Sequence, residues 1–364
     1  MGLVLHEDET MLVESARGFF AREAPVSAFR ELRDCGNPKR MSSKLWQDAA
    51  GMGFAAPQLS QEDGGSGMGA TAAGLIAEEI GRVLAATPFL SSVLASDIIA
   101  RAGSSEQKAQ LLPGIIDGSK IIAIAIEESA RYDPAYCEAR VLDGKLSGTK
   151  RAVIDGGNAS SYLVAALNSG EQRLFLVESS ATGVEVKKLD WIDHRDVADV
   201  TFSNAAATPL PGNGKAVIAR ALDLACTVLA SELLGMSLEA FERTVAYLKE
   251  REQFGRKIGT YQGLQHRAAR AFMAIEVTKG VVIKALRALD SQEPDASLLA
   301  SAAKAIATST ARSMMVEAMQ MHGGIGVTDE LDIGLFVKRA YVAGAQFGDD
   351  RFHKGRLAKV KWGI

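Results

Sequence analysis

YLKEREQFGRKIGTYQGLQHRAA, residues 247–269, reads as a helix that runs into a corner, a tight connection and a second helix. The first pattern ends at Gly255 and the second begins near Thr260, whose hydroxyl suits an N-cap because it can accept a bond from an orphan backbone N–H. Arg251 falls in the last turn beside Phe254. A guanidinium next to an aromatic ring at an exposed corner can grip a phosphate and cover the edge of an adenine or a flavin. The same pair also suits a helix-capping Arg and a packed Phe.

Working outward, residues 217–254 form one helical pattern broken only by Gly235. Further patterns run from about Tyr261 to Leu289, from about Ala296 to Met321 and over about 330–346. Long helices joined by short loops imply an antiparallel four-helix bundle. PLPGNGK, 209–215, marks its start. Before it, from about residue 120, come short runs rich in β-formers (IIAIAIEES, ARVLDGKLSGTKRAVI, SSYLVAAL, QRLFLVES, ADVTFSNA), punctuated by Asp143-Gly144 and Gly156-Gly157. They imply a small antiparallel β domain. Residues 1–118 read as helices: Leu12, Val13, Ala16, Phe19 and Phe20 recur at helical spacing, as do Leu45, Ala49 and Met52, and later helices stop at Gly103 and Gly118. The expected fold is mostly α with a β domain, divided into an N-terminal helical domain (1–119), a middle antiparallel β domain (120–212) and a C-terminal helical bundle (213–364). Alternating βα units are missing, which excludes a dinucleotide-binding doubly wound sheet. GSGMGA at 65–70 matches a Gly-x-Gly-x-x-Gly/Ala pattern but follows no strand, so it reads as loop.

Composition narrows the function. With 47% apolar and 23% charged residues the chain has a globular profile, and a net charge of −3 without basic runs argues against a nucleic-acid partner. Cys35, Cys137 and Cys226 form neither a disulfide framework nor a metal spacing, and His6, His194, His266, His322 and His353 do not cluster, so no metal is expected. The acidic, amphipathic N-terminus is unlike a signal peptide, and no apolar run reaches the ~20 residues of a membrane span. The expectation is a cytoplasmic protein. The methionines Met314, Met315, Met319 and Met321 sit on one helix and read as core.

Arg-x-x-Phe-Gly followed by Ile-Gly and Gln-x-x-Gln resembles the signature of acyl-CoA dehydrogenases. QMHGGIGVTDE, 320–330, resembles the family's Gln-x-x-Gly-Gly-x-Gly segment, and LWQDAAGMGFAAPQLSQEDGGSG, 45–67, is similar to its N-terminal run. The resemblance covers essentially the whole chain and implies the same domain order, FAD as cofactor, an acyl-CoA substrate and tetramers that bind FAD across a subunit interface. On that basis Arg251 is expected at the FAD diphosphate of a neighbouring subunit. Phe254 and Gln262 would line the same cofactor, and Gln320, Gly323 and Gly324 would receive its adenosine end. An electron acceptor such as an electron transfer flavoprotein is implied as well.

The family's reaction takes a proton from the acyl α-carbon and a hydride from the β-carbon, so a carboxylate base must face the flavin. It lies in a Tyr-Glu-Gly-Thr segment in most members. Counting from Arg339 through KRAYVAGAQFGDDRFH, 338–353, Phe347 takes the Tyr place and Gly348 the Glu place, and glycine accepts no proton. The alternative position on the first long C-terminal helix falls near Ala225, with Asp223 and Glu232 the nearest carboxylates. Three explanations stay open. The base is Asp349 or Glu232 in a homo-oligomer; the chain is one subunit of a heterotetramer with a second acyl-CoA dehydrogenase-like chain; or it is a silent subunit that only completes its partner's FAD site. The small subunits of heteromeric dehydrogenases, of the pimeloyl-CoA and steroid-degradation types, are the closest resemblance. The segments that hold the flavin ring in ordinary members are altered here to EESARYDP, 127–134, and TKRAVIDGG, 149–157, with Glu127, Gly148 and Lys150 in matching places and Arg131 and Tyr132 matching the small-subunit type.

Overall fold

The computed structural model describes residues 4–363. Eleven α-helices and ten strands are present among them: α1 Glu7–Glu23, α2 Val26–Asp34, α3 Ser43–Gly51, α4 Gly69–Val83, α5 Phe89–Ala102, α6 Ser105–Ile116, β1 Ile122–Ala125, β2 Arg140–Leu142, β3 Lys145–Ile154, β4 Ser161–Asn168, β5 Glu171–Glu178, β6 Val184–Lys188, β7 Val197–Ala206, β8 Thr208–Pro209, α7 Gly214–Glu250, β9 Glu252–Gln253, β10 Arg256–Lys257, α8 Gln262–Asp290, α9 Ala296–His322, α10 Ile333–Ala345 and α11 Asp350–Trp362. They fall into two compact units. One takes residues 1–29, 74–85 and 226–364, the other 30–73 and 86–225.

The helical unit is built on α7 to α10. α9 buries Ala300, Ala303, Ala307, Ala311, Met314 and Ala318, spaced three or four residues apart, along one stripe. Met315 and Met321 are buried too, in keeping with a core reading of the methionines. α8 and α9 run antiparallel, since Thr278 meets Thr310 (Oγ1–Oγ1 2.8 Å) while Arg267 meets Glu317 (2.5 Å). α7 continues unbroken through Gly235 for 37 residues. Gly235 is a packing glycine, not a helix break: a Cβ there would lie 1.9 Å from Glu78 O, and one at Gly81 would lie 2.2 Å from Glu232 O. Small residues let α4 cross α7 with backbones nearly touching.

The second unit carries the sheet, ordered β6-β7-β3-β2-β4-β5-β8, with β1 beside β4. Most pairs are antiparallel. β1 and β2 pair parallel to β4, so the sheet is mixed rather than purely antiparallel. β4 is buried on both faces, which is why SSYLVAAL carries no polar alternation. Leu163 and Ala165 join Ile98, Ile99, Leu112 and Ile115 in a core with α5 and α6. Tyr162, Val164 and Ala166 join Phe175, Val200 and Phe202 on the other face. Asp143-Gly144 (φ 49° and 72°) makes the two-residue turn its sequence implies.

Candidate functional site

α7 stops at Glu250, and the Arg251 N–H still donates to Tyr247 O at 2.9 Å. The chain then folds into a minimal hairpin that pairs Glu252 with Lys257 and Gln253 with Arg256. Its turn is Phe254 (φ 56°) and Gly255 (φ 77°). Two successive positive φ values match the twist of paired strands. Glycine adopts this conformation freely, but phenylalanine does so at a cost. Phe254 gains no burial in return, being 90% exposed.

The hairpin is braced from its own side. Arg256 lies 3.9 Å from the centre of the Tyr261 ring, Ile258 N–H donates to Arg251 O at 2.9 Å, and Gln265 Nε2 donates to Gly259 O at 3.0 Å. Thr260 is not the N-cap expected from sequence. A 3-10 turn, Ile258–Thr260, intervenes, its hydroxyl donates to Lys257 O at 2.7 Å, and Tyr261 becomes the N-cap without a side-chain bond. Gln262 therefore opens α8, where the first backbone N–H groups have no helix partners.

The second motif meets the corner through its neighbours. The Tyr247 and His322 rings stack with centroids 4.5 Å apart, and the Tyr247 hydroxyl lies 3.4 Å from His322 O. That contact brings Arg251, one turn after Tyr247, near Gly323 and Gly324, just after His322. Arg251, Gln262, Gln320, Gly323 and Gly324 are all exposed, and the side chains of Arg251, Gln262 and Gln320 make no hydrogen bond or ion pair among the described residues.

The glycines of this segment separate by cause. At Gly326 a Cβ would fall 2.4 Å from Met319 O, so its own chain requires glycine. Gly323 ends α9 at φ 66° and ψ −143°, a backbone well reserved for glycine. Gly324 has neither reason: no positive φ, and open space for 4 Å around a Cβ. Gly263, in the first turn of α8, is alike, and sequence reasoning passed over it. A ligand laid against the backbone is a sufficient cause. A guanidinium, a helix N-terminus, an exposed ring and bare backbone together fit a dinucleotide with its diphosphate.

The second candidate region lies between α10 and α11. Phe347 (φ 52°) is buried and Gly348 has φ 94°. Lys304, fully buried, donates to Gly344 O at 2.9 Å and Gly348 O at 3.0 Å, while His353 Nε2 donates to Phe347 O at 3.0 Å. Burial pushes the Lys304 ammonium down to about 8. Burial first, and Lys304 second, push the His353 ring down to about 4. Asp349 caps α11 by accepting from Phe352 N at 2.9 Å. Asp350 pairs with Lys354 at 2.8 Å and Arg312 at 3.3 Å; the Lys354 bond leads in holding its carboxyl below the usual range. Glu232 is held in a bidentate, buried pair with Arg339, at 2.7 and 2.8 Å.

In the sheet unit, two neighbouring glutamates differ. Glu128 binds Lys150 Nζ at 2.5 Å and accepts from Glu138 N at 2.6 Å. The Glu127 carboxyl has no partner among the described residues, and burial alone pushes it up to about 7. Among the described residues no His, Cys, Asp and Glu group could hold a metal, and no helix is long and apolar enough to cross a membrane.

Fold and corner together fit a protein that holds a dinucleotide cofactor at an exposed helix corner. The model of the acyl-CoA dehydrogenase N-terminal domain matches residues 6–119 and that of the C-terminal domain residues 212–361. The chain belongs to the acyl-CoA dehydrogenase family. It is an oxidoreductase acting on the CH–CH bond of an acyl-CoA, with FAD as cofactor. It is 28% identical to acyl-CoA dehydrogenase IpdE2 of Mycobacterium tuberculosis over 98% of both chains. The solved Tcur3481-Tcur3483 steroid ACAD G363A variant is 31% identical over 97% of both chains, with a TM-score of 0.90. The ChsE4-ChsE5 complex of M. tuberculosis shares the fold at 22% identity and a TM-score of 0.90, covering 99% of this chain and 98% of that one.

Proposed function

We propose that this chain is one subunit of a heteromeric acyl-CoA dehydrogenase, presenting its corner to FAD and leaving proton abstraction to a second, homologous chain. One contrast carries the reading. The side chains of Arg251, Gln262 and Gln320 have no partners among the described residues, while the nearby carboxylates that could replace the base are engaged: Glu232 by Arg339, Asp349 by the start of α11, Asp350 by Lys354 and Arg312. A carboxylate locked in a bidentate pair or serving as a cap is a poor proton acceptor. The two-chain Tcur3481-Tcur3483 steroid ACAD supports the same reading, with a steroid-type CoA ester as the substrate class.

Local geometry also supports a second register for the base segment. Glycine fits a φ of 94° and threonine or aspartate fits an N-cap. Laying Tyr-Glu-Gly-Thr on Gln346-Phe347-Gly348-Asp349 meets both conditions, so Phe347 rather than Gly348 stands where the glutamate would. In that register a buried phenyl occupies the place of the base.

In this arrangement Arg251 neutralises the diphosphate, Phe254 covers the ring system, Gln262 and Gln320 donate to nucleotide oxygens, and Gly323 and Gly324 leave the backbone open to the adenosine. Bound FAD supplies the hydride acceptor. We assign segments 1–119, 120–212 and 213–364 to the three family domains; the family-model limits at 119 and 212 support this. A tetramer working in the cytoplasm and passing electrons to an electron transfer flavoprotein completes the proposal.

Expressing the chain alone and with a second acyl-CoA dehydrogenase chain that retains the glutamate tests it. Flavin and acyl-CoA-dependent bleaching are expected only from the pair, and removal of the partner's glutamate abolishes turnover. Bleaching by the chain alone contradicts the proposal.

A further inference from the structure

The helical unit holds a cavity of about 190 Å³, apart from the corner and the base segment, walled chiefly by Leu75, Leu234, Val282, Ile283 and Leu286. Glu78 and Lys279 open onto it, and neither side chain makes a hydrogen bond or ion pair among the described residues. The adjacent Glu79 is the opposite case, gripped by Arg17 at 2.8 and 3.1 Å.

Of the other charges around Glu78, all but Lys279 are already used. On α1, Arg17 is committed to Glu79. On α4, Arg82 lies 3.9 Å from Glu79 and reaches Glu239 at 3.6 Å and Glu242 at 3.1 Å on α7. On α8, Lys279 attracts Glu78 without bonding to it. Burial and then the like charge of Glu79 outweigh Lys279, Arg82 and Arg17, and push the Glu78 carboxyl up to about 6. The carboxylate therefore has no ion-pair partner within 4 Å among the described residues, although Lys279 and Arg17 line the same cavity. On the same cavity wall Ser231 donates its proton to Thr227 O at 3.1 Å, which leaves its oxygen free to accept.

We propose that this cavity binds a short aliphatic ammonium compound, with the ammonium on Glu78 and the hydrocarbon between Leu75, Leu234 and Val282. A carboxylate and a hydroxyl acceptor in the wall of an otherwise largely apolar slot match an alkylammonium head and tail. At about 190 Å³ the space is below the ~300 Å³ where drug-sized sites begin, which rules out CoA or flavin as its occupant. The apolar walls supply contact, and the ion pair forms where water is largely displaced.

Calorimetric titration of the full chain with n-hexylammonium, n-hexanoate and n-hexanol at pH 7.5 and pH 5 tests the site. Hexylammonium is expected to bind once per chain, about tenfold more weakly at pH 5, where Glu78 is mostly protonated. Hexanoate should not bind, and hexanol should bind weakly with no pH dependence. Glu78→Gln should weaken hexylammonium about tenfold at pH 7.5. Equal affinity at both pH values, tighter binding of hexanoate, or full affinity in a folded Glu78→Gln protein overturns the assignment. If that variant fails to fold, the pH ratio and the ammonium-to-carboxylate comparison on the unaltered chain decide.

Discussion

The corner at 251–262 and the loop at 346–349 belong to the same helical unit and are opposites in how they use polar groups. In the corner the side chains of Arg251, Gln262 and Gln320 have no partner among the described residues, and Phe254 takes an unfavourable backbone conformation to stand in solvent. In the loop Lys304 fastens Gly344 and Gly348, His353 fastens Phe347, and Asp349 closes the next helix. The corner leaves its exposed polar side chains open to a ligand, while the loop's backbone carbonyls are bonded from within, although Gln346 Oε1 and His353 Nδ1 stay buried without a partner. Folding alone accounts for the second pattern, and the first is the surface we propose for the ligand.

The largest effect that could break this comparison lies in the loop. Lys304→Met leaves two buried carbonyls without a donor and is expected to cost about 2–4 kcal/mol of stability, read from the urea midpoint. An unchanged midpoint would show that the clamp is idle. His353 gives an effect of similar size through pH. Its folded value of about 4 lies below the ordinary 6.5, so the unfolded chain binds more protons between them. Its contribution is full above pH 6.5 and lost as pH falls towards 4, up to about 3 kcal/mol. His353→Gln should flatten that part of the stability profile.

The corner should behave the other way. Arg251→Ala is expected to leave the urea midpoint of the flavin-free chain within ~0.5 kcal/mol, because an exposed unpaired side chain contributes little. In the assembled enzyme the same change removes a charge-assisted contact of about 2 kcal/mol, seen as roughly thirtyfold weaker flavin retention. The smallest effect sharpens the contrast within one segment. Gly326→Ala should destabilise the fold by about 1–3 kcal/mol, whereas Gly324→Ala should spare the fold and weaken flavin a few-fold. Equal stability losses in both would remove the reason for treating Gly324 as ligand-facing.

The fold was legible where local pattern and packing agree. The apolar stripe of α9 and the Asp143-Gly144 turn could be read directly. Gly235 could not, because its cause is the Glu78 carbonyl of α4, far away in sequence. α2, β6 and α11 passed unnoticed: each is short, and β6 is almost wholly exposed, so no periodic signal forms. The parallel neighbours of β4 depend on a crossover that no strand pattern encodes. In the site, the Arg251 and Gly323-Gly324 motifs were visible as residue spacings, but the exposure of Phe254 and the open space at Gly263 and Gly324 are three-dimensional facts. The partners of Glu232 and Asp349 were equally invisible, since Arg339 lies 107 residues from Glu232.

The most direct measurement is a crystal structure of the FAD-loaded assembly of this chain with its partner. The Arg251 guanidinium should lie within about 3.2 Å of a diphosphate oxygen of FAD seated against another chain, with Phe254 over the ring system and no carboxylate of this chain facing the acyl α-carbon. Arg251 in bulk water, or Glu232 released from Arg339 and standing at the α-carbon, would contradict the account.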